Sequence, residues 1–429
     1  MSENPETTSP STSPNYRWNF VAFLVDATCF GVAFSFVSPN SVLPAFVRQF
    51  TDSAPVIGLV TTVLNGCWLL PQLVSGRLIN DKLRKKPYML AGLGGRVLFW
   101  VVALALWAGL ARYPTAMLIL FFTSFGLFAA SDGFTSVAWF DILARAIPLE
   151  RRGRLMGFSH VASGLGGIGV GVLVGLILGS SNLPFPANYA LIFTLAGVAF
   201  VPSVVALALI REPLTGRTSA ETENRTRTGW LTPLLDDPIF RRLMLCRILV
   251  GLMTLAVPFY VIHAADELHL SGSVIGSFVV AQTLAKMVAG GFFGLTSERW
   301  GPRYVIRIGS AAAIAGPLFA LVVHLVNGGW VVRAYPFVYV TLGVVESAWM
   351  LGFFNYLMEV APDDTRPIYI GLSNTIMGVL TLAPAVGGWL LEVTSYAVLF
   401  GVTVVLVALG FVLALSLKPS QDVLVKEHL

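Results

Sequence analysis

Residues 124–140, SFGLFAASDGFTSVAWF, and residues 341–354, TLGVVESAWMLGFF, decide the fold. Each is a long apolar run with one carboxylate inside it, Asp132 in the first and Glu346 in the second. An acid is costly within a membrane-length segment, so one that is kept there points to function. The two acids are 214 residues apart, and the same offset carries Pro148 onto Pro362, Arg152 onto Arg366 and Gly157 onto Gly371 without a gap. The chain therefore reads as two related halves, each placing a carboxylate at the same depth.

Composition supports a membrane protein. Of 429 residues, 55% are hydrophobic and only 12% are charged, about half the charged share of a soluble domain. The charges collect in short connectors between apolar runs long enough to cross a bilayer. Twelve spans are predicted: 18–46, 56–78, 88–111, 114–143, 154–179 and 188–210, then 240–263, 272–296, 303–325, 333–360, 367–392 and 395–417. The expected organisation is a disordered polar tail over 1–17, a six-helix bundle over 18–210, a polar linker over 211–239, a second bundle over 240–417 and a short tail over 418–429. Of the 28 Lys and Arg, 22 fall on the side that holds both termini and the linker. Only Arg48, Arg112 and Arg333 fall on the other side, which sets the termini in the cytoplasm. A multi-pass protein of a plasma or bacterial inner membrane is expected. The tail has no basic stretch followed by an apolar core, so no cleavable signal is predicted.

Several function classes are excluded. The basic residues form no stripe with interleaved aromatics, so nucleic acid is not an expected partner. Cys29, Cys67 and Cys246 have neither metal nor redox spacing. Gly164-Leu-Gly166-Gly167-Ile-Gly169 fits the dinucleotide pattern in letters, but no strand precedes it. Gly167, Gly171, Gly175 and Gly179 recur every four residues instead, a stripe against which another helix can pack closely. No Ser/His/Asp, zinc or ATP-binding constellation is present, so no cofactor and no enzymatic activity are expected.

After the eighth span the chain reads Gly294-Leu-Thr-Ser-Glu298-Arg299-Trp-Gly301-Pro-Arg303, and after the second Asp81-Lys82-Leu-Arg84-Lys85-Lys86. The first stretch resembles the loop signature of the major facilitator superfamily, and the second is a degenerate copy of it. The resemblance implies an all-α membrane protein of twelve transmembrane helices in two parallel six-helix bundles. It also implies that spans 1, 4, 7 and 10 surround a central cavity, and that loop charges close the cytoplasmic side. A crossed latch is expected, Asp81 with Arg366 and Glu298 with Arg152, with Arg299 beside it.

Six ionisable residues lie within spans: Asp26, Arg96, Asp132, Arg247, Lys286 and Glu346. Asp26, Asp132 and Glu346 are the candidates for proton coupling, because a carboxylate can load and unload a proton as its surroundings alternate between wet and dry. Lys286 is expected to reach a carboxylate in its own half, Glu346 among them, or to hold an anionic substrate. Arg247 is read either as a substrate anchor or as an interfacial side chain that reaches back to the surface. Arg96 is read as a structural partner. Asn65, Gln282 and Asn374 are candidates to line the cavity, as are Trp139 and Phe353, which the 214-residue offset also superposes.

These features predict a monomeric secondary transporter that works by alternating access on a small organic solute. Proton coupling and export of a drug-like or amphiphilic compound are favoured. The alternatives are proton symport for uptake of a sugar, peptide or organic acid, and a receptor or scaffold that has lost transport.

Overall fold

A computed structural model describes residues 15–79, 82–213, 232–326, 329–362 and 365–418. Most of the two polar tails, most of the linker, and Asp81 lie outside these residues. Among the described residues, twelve helices are long and apolar enough to cross a membrane. Helices are the natural outcome, since lipid offers no partner for a free backbone N–H or C=O.

The first bundle holds span 1 (Tyr16–Phe36), span 2 (Ala54–Ile79), span 3 (Lys86–Trp107), span 4 (Pro114–Ala146), span 5 (Leu149–Leu178) and span 6 (Ala187–Leu209). The second holds span 7 (Pro238–Asp266), span 8 (Val274–Trp300), span 9 (Pro302–Val326), span 10 (Phe337–Val360), span 11 (Ile368–Val393) and span 12 (Tyr396–Leu415). With six spans in each half, both described ends lie on one side, here the terminus side. Rings fill the first bundle: Phe128 packs on Phe99 at 4.6 Å, and Phe46 sits 5.0 Å from Phe193 and 5.2 Å from Phe121.

Two spans differ from the continuous helices expected. Span 1 ends at Phe36 and resumes as a short buried helix, Val42–Arg48. Span 7 is regular over Pro238–Gly251, tightens to a 3-10 turn over Leu252–Leu255, and resumes at Phe259–Asp266. The causes are Pro39 and Pro258, each lacking an N–H and crowding the preceding turn. The interruptions are equivalent in the repeat, since residues 37–41 shifted by 214 fall on 251–255. Spans 10 and 11 are irregular too, with a π turn over Trp349–Phe354 and a 3-10 turn over Leu380–Leu382.

The halves meet tightly on the side opposite the termini. A Cβ on Gly171 would lie 2.7 Å from Val280 Cγ2 and 3.0 Å from the Gly276 carbonyl oxygen, and one on Gly175 3.0 Å from the Ser273 oxygen. The glycine stripe of span 5 thus lets span 8 approach to backbone contact. The same relation recurs between spans 2 and 11, where a Cβ on Gly388 would meet Ala54 and Pro55. Arg48 donates to Asp266 at 2.8 Å across the same seam.

Candidate functional site: a charged cluster in each half

In the first half, Arg96 joins two carboxylates. Its Nη1 lies 3.6 Å from Asp26 Oδ1 and its Nη2 3.9 Å from Asp132 Oδ1. Glycines make the approach possible: a Cβ on Gly95 would collide with Ser131 of span 4, and one on Gly92 with Thr135. Span 3 tightens to a 3-10 turn over Leu93–Val97, at the same level. Arg96 also donates to Ser203 Oγ at 2.5 Å, and Ser203 donates to Asp26. The guanidinium lies 5.2 Å from the Phe30 ring and 5.5 Å from the Phe200 ring, a cation–π setting that favours the charge. Two indoles complete the cluster, Trp139 donating to Asp26 at 2.8 Å and Trp68 to Asp132 at 3.1 Å. The Arg96 and Asp26 side chains are only 7% and 6% exposed, so these charges have little water to stabilise them. Two carboxylates share one guanidinium, which leaves one acid in excess.

In the second half, Lys286 Nζ lies 3.1 Å from Glu346 Oε2. Gln282 donates to Glu346 Oε1 at 2.6 Å. Gly343 lets span 10 touch the backbone of span 8, for a Cβ there would meet the Gln282 oxygen. Trp68 and Gln282 are themselves 214 residues apart, so the same repeat position donates to the acid in both halves. The third donor to Glu346 comes from the other half: Asn40, in the interruption of span 1, donates at 3.1 Å. Tyr339 donates back to the Asn40 carbonyl at 3.4 Å. Lys286 is half-exposed, unlike the sealed Arg96.

Arg247 stands apart from both clusters. It donates to Ser373 Oγ at 2.5 Å and its guanidinium lies 5.5 Å from the Trp349 ring. Asn65 and Asn374 are exposed on spans 2 and 11. Phe353, expected along the pathway, is buried and packs on Trp349 at 4.9 Å.

Of the crossed latch, only the Arg152–Glu298 arm falls wholly within the described residues, and it is not made. Asp81 lies outside the described residues, and among those described no ion pair joins Arg152 to Glu298, which is exposed beside the exposed Arg299. Arg152 instead donates to the Ile147 carbonyl at 3.0 Å and the Ala144 carbonyl at 2.5 Å. Arg366 donates to the Ala361 carbonyl at 3.3 Å, the equivalent place in the second repeat. Both arginines cover carbonyls at the end of the preceding span, a capping arrangement.

The residues missed in the sequence are Asn40, Trp68, Ser203 and Ser373. Trp68 was findable, since it superposes on Gln282, and Pro39 marked the interruption that presents Asn40. Ser203 and Ser373 carried no signal, being ordinary small residues in apolar runs.

Among the described residues, twelve spans in two related bundles, with an ion-paired acid at the matching position of each, define a polytopic membrane transport protein. The Major Facilitator Superfamily profile matches residues 25–379 and 243–428, and the chain belongs to that superfamily. Solved structures share the fold. A bacterial homologue of the iron transporter ferroportin in its inward-facing state aligns with TM-score 0.70 and 17% identity, over 94% of this chain and 98% of that one. A D-xylose–proton symporter gives TM-score 0.70 at 14% identity, over 94% and 98%. In sequence, a 132-residue stretch is 26% identical to multidrug resistance protein 1 of Bacillus subtilis (strain 168), spanning 30% of this chain and 32% of that protein.

Proposed function

We propose that this protein is a proton-coupled secondary transporter that exports a small amphiphilic or drug-like organic compound by alternating access. The observation that carries the reading is the shared guanidinium. Asp26 and Asp132 both face Arg96, so one of the two carboxylates has no cation of its own. A proton is the smallest cation that can neutralise it, and its arrival or departure changes the charge of a sealed cluster by one unit. Paired interruptions in spans 1 and 7 add support, since broken helices at corresponding places of two repeats mark a transporter's working region. Export is favoured by the stretch similar to the Bacillus multidrug resistance protein.

The terminus side is assigned to the cytoplasm of a cell membrane by its excess of Lys and Arg. The closed seam then lies outside, and the conformation is inward-facing. Asp81, Arg152, Glu298, Arg299 and Arg366 form the cytoplasmic latch, and Arg152 leaves its capping carbonyls to meet Glu298 in the opposite state. The solute crosses between the halves past the Lys286–Glu346 pair, and the working unit is the monomer.

The test is reconstitution into liposomes that hold a pH-sensitive dye, screened with organic solutes of different charge. Antiport predicts that a transported compound moving one way drives protons the other way through the wild-type protein. Transport of a compound with no pH response would remove the coupling role of the acids and leave a uniporter.

A further inference from the structure

The six intramembrane charges divide unevenly between the halves. The first half holds two carboxylates and one guanidinium. In the second, Lys286 and Glu346 neutralise each other, which leaves Arg247. Among the described residues no carboxylate lies within 4 Å of Arg247, although an uncompensated cation at that depth is costly.

Arg247 is nine residues beyond Pro238, about 13 Å along the helix at 1.5 Å per residue. A side chain serving only as an interfacial anchor would turn back toward Arg241 and Arg242. This one turns sideways instead, to the buried Ser373 on span 11 and the Trp349 ring on span 10. Its Nε is buried and has no hydrogen-bond partner. A charged donor left unmade carries the full cost of desolvation, so the site is short of an acceptor.

The side chains around the guanidinium are apolar. A Cβ on Gly251, one turn from Arg247, would lie 2.8 Å from Leu380, 3.4 Å from Met377 and 3.5 Å from Trp349. These side chains form an apolar wall beside the guanidinium. The wall is built where three irregular turns converge: Leu252–Leu255, Trp349–Phe354 and Leu380–Leu382. Irregular turns can shift their register at lower cost than continuous helix, so a ligand held here would couple to the bending of spans 7, 10 and 11.

We infer that Arg247, with Ser373 and Trp349, binds the anionic group of an organic substrate. The substrate class is a carboxylate or sulfonate carried on a flat apolar body, which the planar guanidinium grips through two parallel hydrogen bonds. The inference rests on the transporter reading and narrows its substrate. Lys286 is not the anion ligand, because Glu346 already satisfies it. A bound anion answers the one unpaired cation of the second half, as a proton answers the one extra carboxylate of the first.

The test uses four probes with one ring system: 2-naphthoate, 2-naphthalenesulfonate, 2-naphthylmethanol and 2-naphthylmethylammonium. Binding to the full-length protein in nanodiscs is followed by the shift of its thermal unfolding midpoint. The two anions are expected to raise the midpoint, and the alcohol and the ammonium to leave it within error. Arg247→Gln should abolish the anion shift. Arg247→Lys, which keeps the charge but not the fork and guards against a misfolded variant, should weaken half-saturation about ten-fold. Equal shifts for all four probes, no shift for any, wild-type anion binding in Arg247→Lys, or loss of the shift in Lys286→Gln alone would each overturn the site. Flux of the same probes in liposomes separates the two readings. Anion binding without movement of any probe contradicts transport and leaves the site standing, whereas movement without anion preference contradicts the site and leaves transport standing.

Discussion

Asp26 and Asp132 share one cation, and that ratio makes their removal unequal to the removal of Arg96. Asp26→Asn or Asp132→Asn leaves Arg96 one carboxylate, so the fold should hold. Arg96→Gln leaves two buried acids without a cation, a change that costs about 3–5 kcal/mol when a buried pair is broken. The unfolding midpoint in detergent should therefore fall well below wild type for Arg96→Gln and only slightly for either Asn variant. Equal losses for all three would show that the acids do not share the guanidinium. At this scale the sequence was legible where the repeat repeated chemistry. Asp132 and Glu346 stood out because each was an acid in an apolar run. Their donors Trp68 and Gln282 differ in type, so the shared role shows only once both are seen to donate to the acid. Phe353 superposes on Trp139 yet packs inward on Trp349, because its ring has no polar atom to be drawn toward an acid.

Helix against helix, the closed seam rests on glycine. Gly171, Gly175 and Gly276 bring spans 5 and 8 to backbone contact, and Gly276→Val would drive a branched side chain into the Gly171 carbonyl and the Gly175 backbone. That variant should open the seam, and a cysteine-reactive probe applied from the side opposite the termini should then label Ser273→Cys much faster than in its Gly276 parent. An unchanged labelling rate would mean the seam closes without this contact. The small-residue stripe and the twelve spans were readable from period and length alone. The interruption of span 1 was marked by the polar Ser38-Pro39-Asn40-Ser41, but that of span 7 was not, because Pro258 sits in a run that stays apolar and hydropathy is blind to backbone geometry. Prolines at 71, 202 and 317 lie inside unbroken helices, so proline by itself does not reveal which span breaks.

Across the whole molecule, alternating access requires the seam to open in every cycle. Leu178 and Gly272 face each other across it, with a built Cβ on Gly272 lying 3.6 Å from Leu178 Cβ. That separation suits a disulfide. In a background with Cys29, Cys67 and Cys246 replaced, Leu178→Cys with Gly272→Cys should stop flux on oxidation and recover it on reduction. Full cross-linking with undiminished flux would show that the halves do not separate there. The predicted latch belongs to this scale too, since Arg152 covers carbonyls of the preceding span rather than meeting Glu298. Charges at helix ends predict which side they occupy, but a sequence does not state which of its conformations a structure will show.

The central claim is that the carboxylate in excess around Arg96 carries the coupled proton. The most direct test is to compare proton-driven accumulation with solute exchange at equal pH in liposomes, using Asp26→Asn and Asp132→Asn as single variants, each of which leaves Arg96 one carboxylate and none in excess. The account predicts that accumulation driven by a pH gradient disappears in both while exchange continues, since the cluster can no longer change its charge but the halves can still move. Gradient-driven accumulation at the wild-type level in both single variants would contradict it.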